Sequence, residues 1–481
     1  MTASDFRWPR SQADIERIQR ERKRIAVERA LQSPFWKRRM PPLELDRVHE
    51  PEVWRRIPVL TKEALRELPV QWFHEEFCIA PRTKVVEYWR SGGATGRPLF
   101  YPRSAEDMQS NIMAFERAWA LVGATAEDCA HISFPLGVHP VAHLYARAAI
   151  NLGIGTVWCG AGTNTASEAQ LELLEQLKPT IWIGMASYGL HLANLAEVKG
   201  VDLSRSTVKK LLVAAEPLSP VKRGRLERAW GAGVFDHFGM TEAAIVSGEG
   251  LDHNGMHAFT DLWYLEVLDE KGEPVAPGEV GSLVVTALWS NTMTPFLRWS
   301  SGDLASLAPS PGGAHPWSVF PIMRHARRTV GFFKVRGVNI NHAELEDAMF
   351  SDPAVVDFRA EVYNAGGNDV LHLHVETRTG GTGPIADMIR RTFQLTPELT
   401  LLPRGTIART SLSRSVCIPW RTSMRERRST LASAPCGAAP AATRPRRRSS
   451  SSSIISSRRS GSAWRAMACI SRTWPRCAAL I

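Results

Sequence analysis

The 481-residue chain contains no run of 18 apolar residues, and so no candidate for a membrane-spanning helix. Cysteine is scarce where a fold is expected: of seven, Cys417, Cys436, Cys469 and Cys477 lie beyond residue 410, leaving Cys78, Cys129 and Cys159. None of these three belongs to a CxxC pair, which excludes a zinc ribbon and a disulfide framework and suits a reducing compartment. The phosphate-binding pattern GxxxxGK[ST] is missing. Residues 1–24 are polar and mixed in charge, unlike a secretory signal, so a cytoplasmic location is expected. Lysine disappears altogether after Lys334.

Acidic residues are almost absent from residues 411–481, which hold 14 arginines, no lysine and the single acid Glu426. That segment carries a net +13, more than the whole chain's +11, while residues 1–410 set 45 bases against 47 acids. A nucleic-acid-binding face on the folded body is therefore not predicted. Hydrophobic residues at 44% and charged residues at 22% are ordinary for a globular chain, and the length allows two or more domains with ample core.

Residues 15–32 are charged with scattered apolar positions and read as a surface helix ended by Pro34. Thr61 is placed to cap a short helix. Strands are predicted at 85–89 and at Phe100-Tyr101, and a helix at 106–121. Strands at 131–134, 156–158, 180–183 and 208–213 then alternate with helices at 141–152, 167–177 and 188–198. That alternation is the pattern of a mostly parallel sheet with crossover helices. Strands at 264–268 and 281–286 follow, joined by turns. Beyond Arg328 comes a smaller α+β unit: strand 332–336, a turn at Gly337-Val338, and a helix opened by Asn341 with Glu344 three residues on. Leu345, Ala348 and Met349 share that helix's inner face. Strands 355–363 and 370–376, helix 385–393 and strand 399–402 complete it. The predicted fold class is α/β, with a large domain of layered sheets and helices over 1–328, a small α+β domain over 329–410, and a low-complexity basic tail over 411–481.

Five stretches carry chemistry. Ser91-Gly92-Gly93-Ala94-Thr95-Gly96-Arg97-Pro98 has three glycines that let backbone N–H groups approach a ligand, two hydroxyls, and a fork-shaped cation suited to phosphate. A glycine-rich surface turn is the alternative. Ala214-Ala215-Glu216-Pro217 ends a buried strand in small residues, leaving room for a flat ring or for a packed helix. In Asp236-His237-Phe238-Gly239-Met240-Thr241-Glu242, Phe238 can stack on a base, Thr241 can donate to phosphate and Glu242 can face Mg²⁺, which prefers oxygen ligands. A polar turn with Glu242 solvated is the alternative. Asp303 follows Gly302 at an expected turn, placed to accept two hydrogen bonds from a ribose diol. Arg328, Lys334 and Arg336 open the small unit, the last two on one face of a strand or along a solvated edge. His257, Asp261 and Glu266 are metal-capable. His139 and His143 read as packed or surface histidines.

In order and spacing, these stretches resemble the phenylacetate–CoA ligase branch of the adenylate-forming enzymes, over about residues 57–404. The glycine loop is similar to the family's Ser-Ser-Gly-Thr-Thr-Gly-Lys-Pro, departing at Gly92, Ala94 and Arg97. Ala215-Glu216-Pro217 resembles Gly-Ala-Glu-Pro beside the adenine. Phe238 to Glu242 resembles Tyr-Gly-x-Thr-Glu, with Phe238 for Tyr. Asp303 matches the ribose aspartate and Arg328 the hinge arginine, with Gly331 where a charged hinge residue is common. The resemblance implies nucleotide binding by Ser91, Gly92, Gly93, Thr95, Gly96, Arg97, Ala215, Glu216, Asp236, Phe238, Gly239, Met240, Thr241, Asp303 and Arg328. It implies a Mg²⁺ ligand in Glu242, and catalytic roles for Thr241, Glu242 and Lys334.

Two half-reactions are implied. A carboxylate attacks the α-phosphorus of Mg·ATP, giving acyl-AMP and pyrophosphate. The small, mobile domain then turns about residues 328–331, bringing Lys334 and Gly337 to the site, and the thiol of coenzyme A displaces AMP. By the same resemblance Phe134-Pro135-Leu136-Gly137, His139 and Ser187-Tyr188 line the acyl pocket, where Phe134 and Tyr188 favour an aromatic or otherwise apolar, phenylacetate-like acid. The implied cofactors are ATP, Mg²⁺ and coenzyme A. The partners are the small-molecule acid, ATP and CoA, with a homodimer allowed for and neither nucleic acid nor a membrane expected.

The pattern breaks near residue 406. Family members carry a C-terminal lysine that contacts the carboxylate and the α-phosphate, and none stands here after Lys334. Residues 411–481 hold 16 serines and show no apolar periodicity. They read as a shifted reading frame in a GC-rich gene or, alternatively, as a basic arm for an anionic partner. Impaired adenylation is expected. The alternative functions are transfer of the acyl group to a carrier protein or an amine, and a non-catalytic nucleotide-binding relic.

Overall fold

Short runs of Ile, Val, Leu and Trp between amphipathic helices build one large sheet with a smaller unit beside it. A computed structural model describes residues 8–90, 99–328, 332–336, 338–365 and 368–407. The chain forms two units, Met1–Thr422 and Ser423–Ile481, and all described residues belong to the first. The tail predicted over 411–481 lies outside them.

Helix α1 (Gln12–Ala30) starts at Ser11, whose hydroxyl accepts from the Asp14 amide. It is more than a surface helix, because Ile15, Ala26, Val27 and Ala30 form a stripe fully removed from water. Pro34 does not end it. It opens α2 (Pro34–Arg39), where a missing N–H costs no hydrogen bond. Helices α3 (Pro51–Arg55), α4 (Lys62–Arg66) and α5 (Phe73–Glu76) follow, and Thr61 caps α4 by accepting from the Ala64 amide. These pieces close over a core of Phe35, Trp36, Trp54, Phe77 and Phe296.

Strands β1 (Glu87–Arg90) and β2 (Phe100–Arg103) form an antiparallel pair in which Arg90 faces Phe100. Helix α6 (Ala105–Leu121) starts in a capping box between Ser104 and Asp107. Then come β3 (Cys129–Ile132), α7 (Pro140–Asn151), β4 (Gly155–Trp158), α8 (Ser167–Leu177), β5 (Ile181–Gly184), α9 (Ala186–Lys199), β6 (Lys210–Ala214), α10 (Pro220–Trp230) and β7 (Gly233–Met240). Their strands lie parallel in the order β4-β3-β5-β6-β7. The chain goes on through β8 (Ala244–Glu249), β9 (Met256–Ala258), β10 (Trp263–Leu268), β11 (Val280–Ala287), β12 (Trp299–Ala308) and β13 (Ile322–Arg328), which extend the sheet antiparallel beyond β7 in the order β8-β9-β13-β12-β11-β10, reaching eleven strands among the described residues. Strand β7 is the seam, parallel to β6 and antiparallel to β8. The expected turn at Asp303 is corrected: Asp303 sits inside β12, directly after Gly302 with φ 74° and beside a register shift against β13.

The smaller unit holds β14 (Phe332–Val335), β15 (Val338–Asn341), α11 (His342–Ser351), β16 (Val355–Ala365), β17 (Asn368–Thr377), α12 (Ile385–Phe393) and β18 (Glu398–Leu402). Leu345 and Met349 are fully buried, as the helical spacing predicts. One apolar cluster runs from Trp182, Leu226 and Trp230 of the large unit to Leu345, Leu373 and Ile389 of the small one.

Candidate active site

Parallel strands deliver their carboxyl ends to one edge of a sheet, where ligands of open α/β folds bind. Here β5, β6 and β7 end at Gly184, Ala214 and Met240, so Ser187, Glu216 and Thr241-Glu242 emerge along the same edge. Ala215 takes φ 72°, a left-handed conformation costly for a residue with a Cβ, as the chain turns sharply off β6. Glu216 is then held at the start of α9: the Ser187 amide donates to its Oε1 and the Ser187 hydroxyl to its Oε2 at 2.9 Å. Gly239 is required on β7, because a Cβ there would lie 2.4 Å from the Ala244 carbonyl oxygen.

Arg103 joins two of the predicted stretches. It leaves the glycine segment on β2, fully buried, and its Nη2 donates to the carbonyls of Thr241 at 2.9 Å and Glu242 at 2.7 Å. Its Nη1 donates to Thr294 Oγ1 at 2.8 Å, and Trp89 packs against the guanidinium 4.6 Å from its ring centre. Burial lowers the Arg103 pKa, with the charges of Asp107 and Glu242 opposing. Tyr101, two residues back on β2, donates from its hydroxyl to Glu242 Oε1 at 2.8 Å. Glu242 is thus a buried, oriented carboxylate and not the solvated alternative.

A second group lies across the seam. Phe238 stacks on His325 with ring centres 5.2 Å apart and planes 28° from parallel. His325 Nε2 lies 3.0 Å from Asp303 Oδ1, and Asp303 is buried. Opposite Asp303 in the sheet register stands Arg328, at the end of β13. Phe238, His325 and Asp303 therefore form one continuous contact series from β7 to β12.

Deeper in the sheet, burial pushes the Asp236 carboxyl up to about 8, the charge of Glu249 adds to this, and Arg223 opposes it. Arg223 donates to Glu249 Oε2 at 2.7 Å, and the Asp236 amide to the same oxygen at 3.0 Å. Burial likewise keeps His237 neutral, holding it down near 3, and its Nδ1 meets the Tyr145 hydroxyl at 2.6 Å.

Ser91, Gly92, Gly93, Thr95, Gly96 and Arg97, together with Gly331 and Gly337, lie outside the described residues, as do the side chains of Arg328 and Lys334. Met240 packs between two cores. Of the expected acyl-pocket residues, Phe134 is fully buried and stacked on Tyr145, presenting no surface to a ligand here. Tyr188 shares a hydrogen bond with Ser167 at 3.1 Å. His143 Nε2 lies 3.0 Å from the Gly137 carbonyl oxygen. The metal-capable trio is engaged elsewhere: His257 with Asp252, Asp261 bidentate to Arg117, and Glu266 with Arg298. A cavity of about 320 Å³ beside Trp54, Tyr264 and Pro321 is lined by Glu266 of that trio and by none of the expected nucleotide-binding residues.

Sequence reasoning missed Tyr101, Arg103 and His325, and it expected Ser187 in the acyl pocket without its contact to Glu216. The first two stand two residues apart on the strand leaving the glycine segment, which puts them on one face, a signal that period-2 spacing offers. His325 carries no local signal, being an isolated histidine in an otherwise mixed strand.

Residues 76–292 match the family model of AMP-binding enzymes. The phenylacetate–coenzyme A ligase of Thermus thermophilus is 27% identical over 393 residues, spanning 76% of this chain and 84% of that protein. The ligase of the same name from Aromatoleum evansii is 27% identical over 304 residues, spanning 62% and 67%. Among solved structures, a 2-hydroxyisobutyryl-CoA ligase in its postadenylation state superposes with a TM-score of 0.71 at 22% identity, covering 86% of this chain and 89% of that one. Architecture, motif order and sequence likeness agree: the chain carries an AMP-binding segment over residues 76–292 and is similar to phenylacetate–coenzyme A ligases among the adenylate-forming enzymes.

Proposed function

We propose that this enzyme activates an aromatic or otherwise apolar carboxylic acid with ATP, releasing pyrophosphate, and then transfers the acyl group from acyl-AMP to the thiol of coenzyme A. The observation that carries the reading is the convergence of Glu242 and Thr241, held by Tyr101 and Arg103, at the carboxyl ends of the parallel strands that also deliver Glu216. Attack on a phosphorus atom needs alignment and charge neutralisation more than covalent chemistry from the protein. Buried, pre-oriented groups serve that need because they do not reorganise during the reaction. Glu242 offers an oxygen donor of the kind Mg²⁺ prefers, Thr241 offers a hydroxyl to a phosphate oxygen, and the ion would supply positive charge against the phosphates. Asp303, oriented by His325, is suited to a ribose diol, and Phe238 to the face of the base. Ser91 to Arg97, Arg328 and Lys334 are assigned by motif position alone. The boundaries at 328 and 410 are likewise the expected places for the large and small domains to divide.

The acid is the finer part of the proposal, supported by the phenylacetate ligases among the relatives. Impairment is also proposed, from the absence of any lysine after Lys334. Pyrophosphate exchange across a panel of aromatic and aliphatic acids, with and without coenzyme A, tests both. Exchange with phenylacetate-like acids, slow for the family, and CoA-dependent thioester are expected. Thioester-free turnover with a carrier protein or amine would redirect the second step. ATP binding without exchange would select the non-catalytic reading, and resequencing the coding DNA would show whether a shifted frame restores a lysine.

A further inference from the structure

Outside the adenylation site, the three-stranded sheet of the small unit sets two histidines and a glutamate on one half-buried face. Strand β17 alternates Leu371, Leu373 and Val375, all fully buried, with His372 and His374, which point the other way. The antiparallel register places Glu361 of β16 opposite His372, and the parallel register places Thr400 of β18 opposite His374. One candidate ligand atom from each of Glu361, His372 and His374 lies within 4.8 Å of the others. The two imidazole centres are 4.1 Å apart, tilted by 31°, and His374 Nε2 is 3.4 Å from Glu361 Oε2.

From this geometry we infer that Glu361, His372 and His374 form a surface site for a divalent transition-metal ion such as Zn²⁺, with water completing the shell. Two imidazoles and a carboxylate are the donor set that such ions take, and bonds of about 2.0–2.1 Å require ligand atoms roughly 3.4 Å apart. Small side-chain rotations on a rigid ladder achieve that closure. The surrounding groups already orient the donors. His372 Nε2 lies 2.8 Å from Thr400 Oγ1, which leaves its Nδ1 for the ion, and Arg359 holds Glu361 Oε1 at 2.9 Å, leaving Oε2 toward His374. The Arg359 charge opposes a cation, so micromolar and not nanomolar affinity is expected. The ion would clip β16 to β17, and the site would not serve phosphate chemistry.

The full chain, freed of metal, is titrated with Zn²⁺ by calorimetry and with Co²⁺ by visible absorption. One equivalent at micromolar affinity is expected, with a Co²⁺ d–d spectrum and no thiolate charge-transfer band. His372→Ala, His374→Ala and Glu361→Gln should each weaken binding by at least about tenfold. As these side chains lie off the core, the variants should retain the wild-type circular dichroism. Should a variant misfold, electron paramagnetic resonance of the Cu²⁺-loaded wild type reads the site independently, with hyperfine splitting from two nitrogens expected. Binding that survives in the double histidine variant, a thiolate band, or no binding at millimolar metal overturns the assignment.

Discussion

Arg103 pairs two backbone carbonyls and a hydroxyl with a single buried guanidinium. Arg103→Met leaves those carbonyls unpaired, at about 1–3 kcal/mol each. It also frees the Thr241-Glu242 turn, so pyrophosphate exchange should fall on the order of 10–100-fold. Arg103→Lys keeps the charge but not the fork, and an intermediate loss is expected in both thermal melts and exchange assays. Asp236 gives a prediction of opposite sign. Its carboxyl titrates near 8 in the folded chain against about 3.9 unfolded, so the folded state holds the extra proton between those values. Its contribution is fully present below about pH 4 and is lost as pH rises toward 8. Asp236→Asn should therefore match the wild type in stability near pH 4 and exceed it by a few kcal/mol at pH 8, read by denaturant unfolding at both values. Equal gains at both pH values would place the cause elsewhere.

Between elements, Lys222 ties α10 to α11. It is 1% exposed, donates to Glu346 of α11 at 2.6 Å, and lies 3.7 Å from Glu216. Burial alone would lower its pKa, but the two carboxylates outweigh it and the net shift is upward. Lys222→Met strips the cation from both acids. The cost should fall below the roughly 3–5 kcal/mol of a fully buried pair, since both carboxylates keep some contact with water. Amide exchange in α10 and α11 should quicken together in that variant, while unchanged exchange would mean that the apolar cluster alone holds the helices. The paired helices differ in how legible they are. Asn341 and the Leu345–Met349 spacing announce α11, whereas α10, with five charged residues among its eleven, offers little apolar periodicity. Its Ser219 cap and Pro220 were the available signal. Strand β7 was hidden for a different reason: its glycines and polar residues carry no strand pattern, and only pairing on both sides makes them a strand.

Across the whole molecule, buried histidines set the acid limit. His131 titrates near 4 and His237 near 3, both held down by burial, against about 6.5 unfolded. The unfolded chain takes up protons first as pH falls, so their stabilisation is complete above about 6.5 and is lost toward 4 and 3. Each contributes a slope of about 1.4 kcal/mol per pH unit within its window. Melting temperature should decline from pH 6.5 downward, and both imidazole proton signals should stay in their neutral positions at pH 5. An imidazole that titrates near 6.5 in the native protein would contradict the burial argument.

Sequence alone determined the alternation of strands and helices, the small α+β unit and the order of the nucleotide motifs, because periodicity and glycine placement are local properties. It also located the change of composition after residue 406. It did not determine which groups hold the motifs in place. Tyr101 meets Glu242 across 141 residues and Arg103 meets Thr241 across 138, contacts that arise only when β2 is laid against the end of β7. The His325–Asp303 pair depends on β12–β13 register, and the Glu361–His372–His374 cluster on β16–β17 register. Register is fixed by burying one face of every strand at once, so it belongs to the packed molecule and not to any single stretch of it.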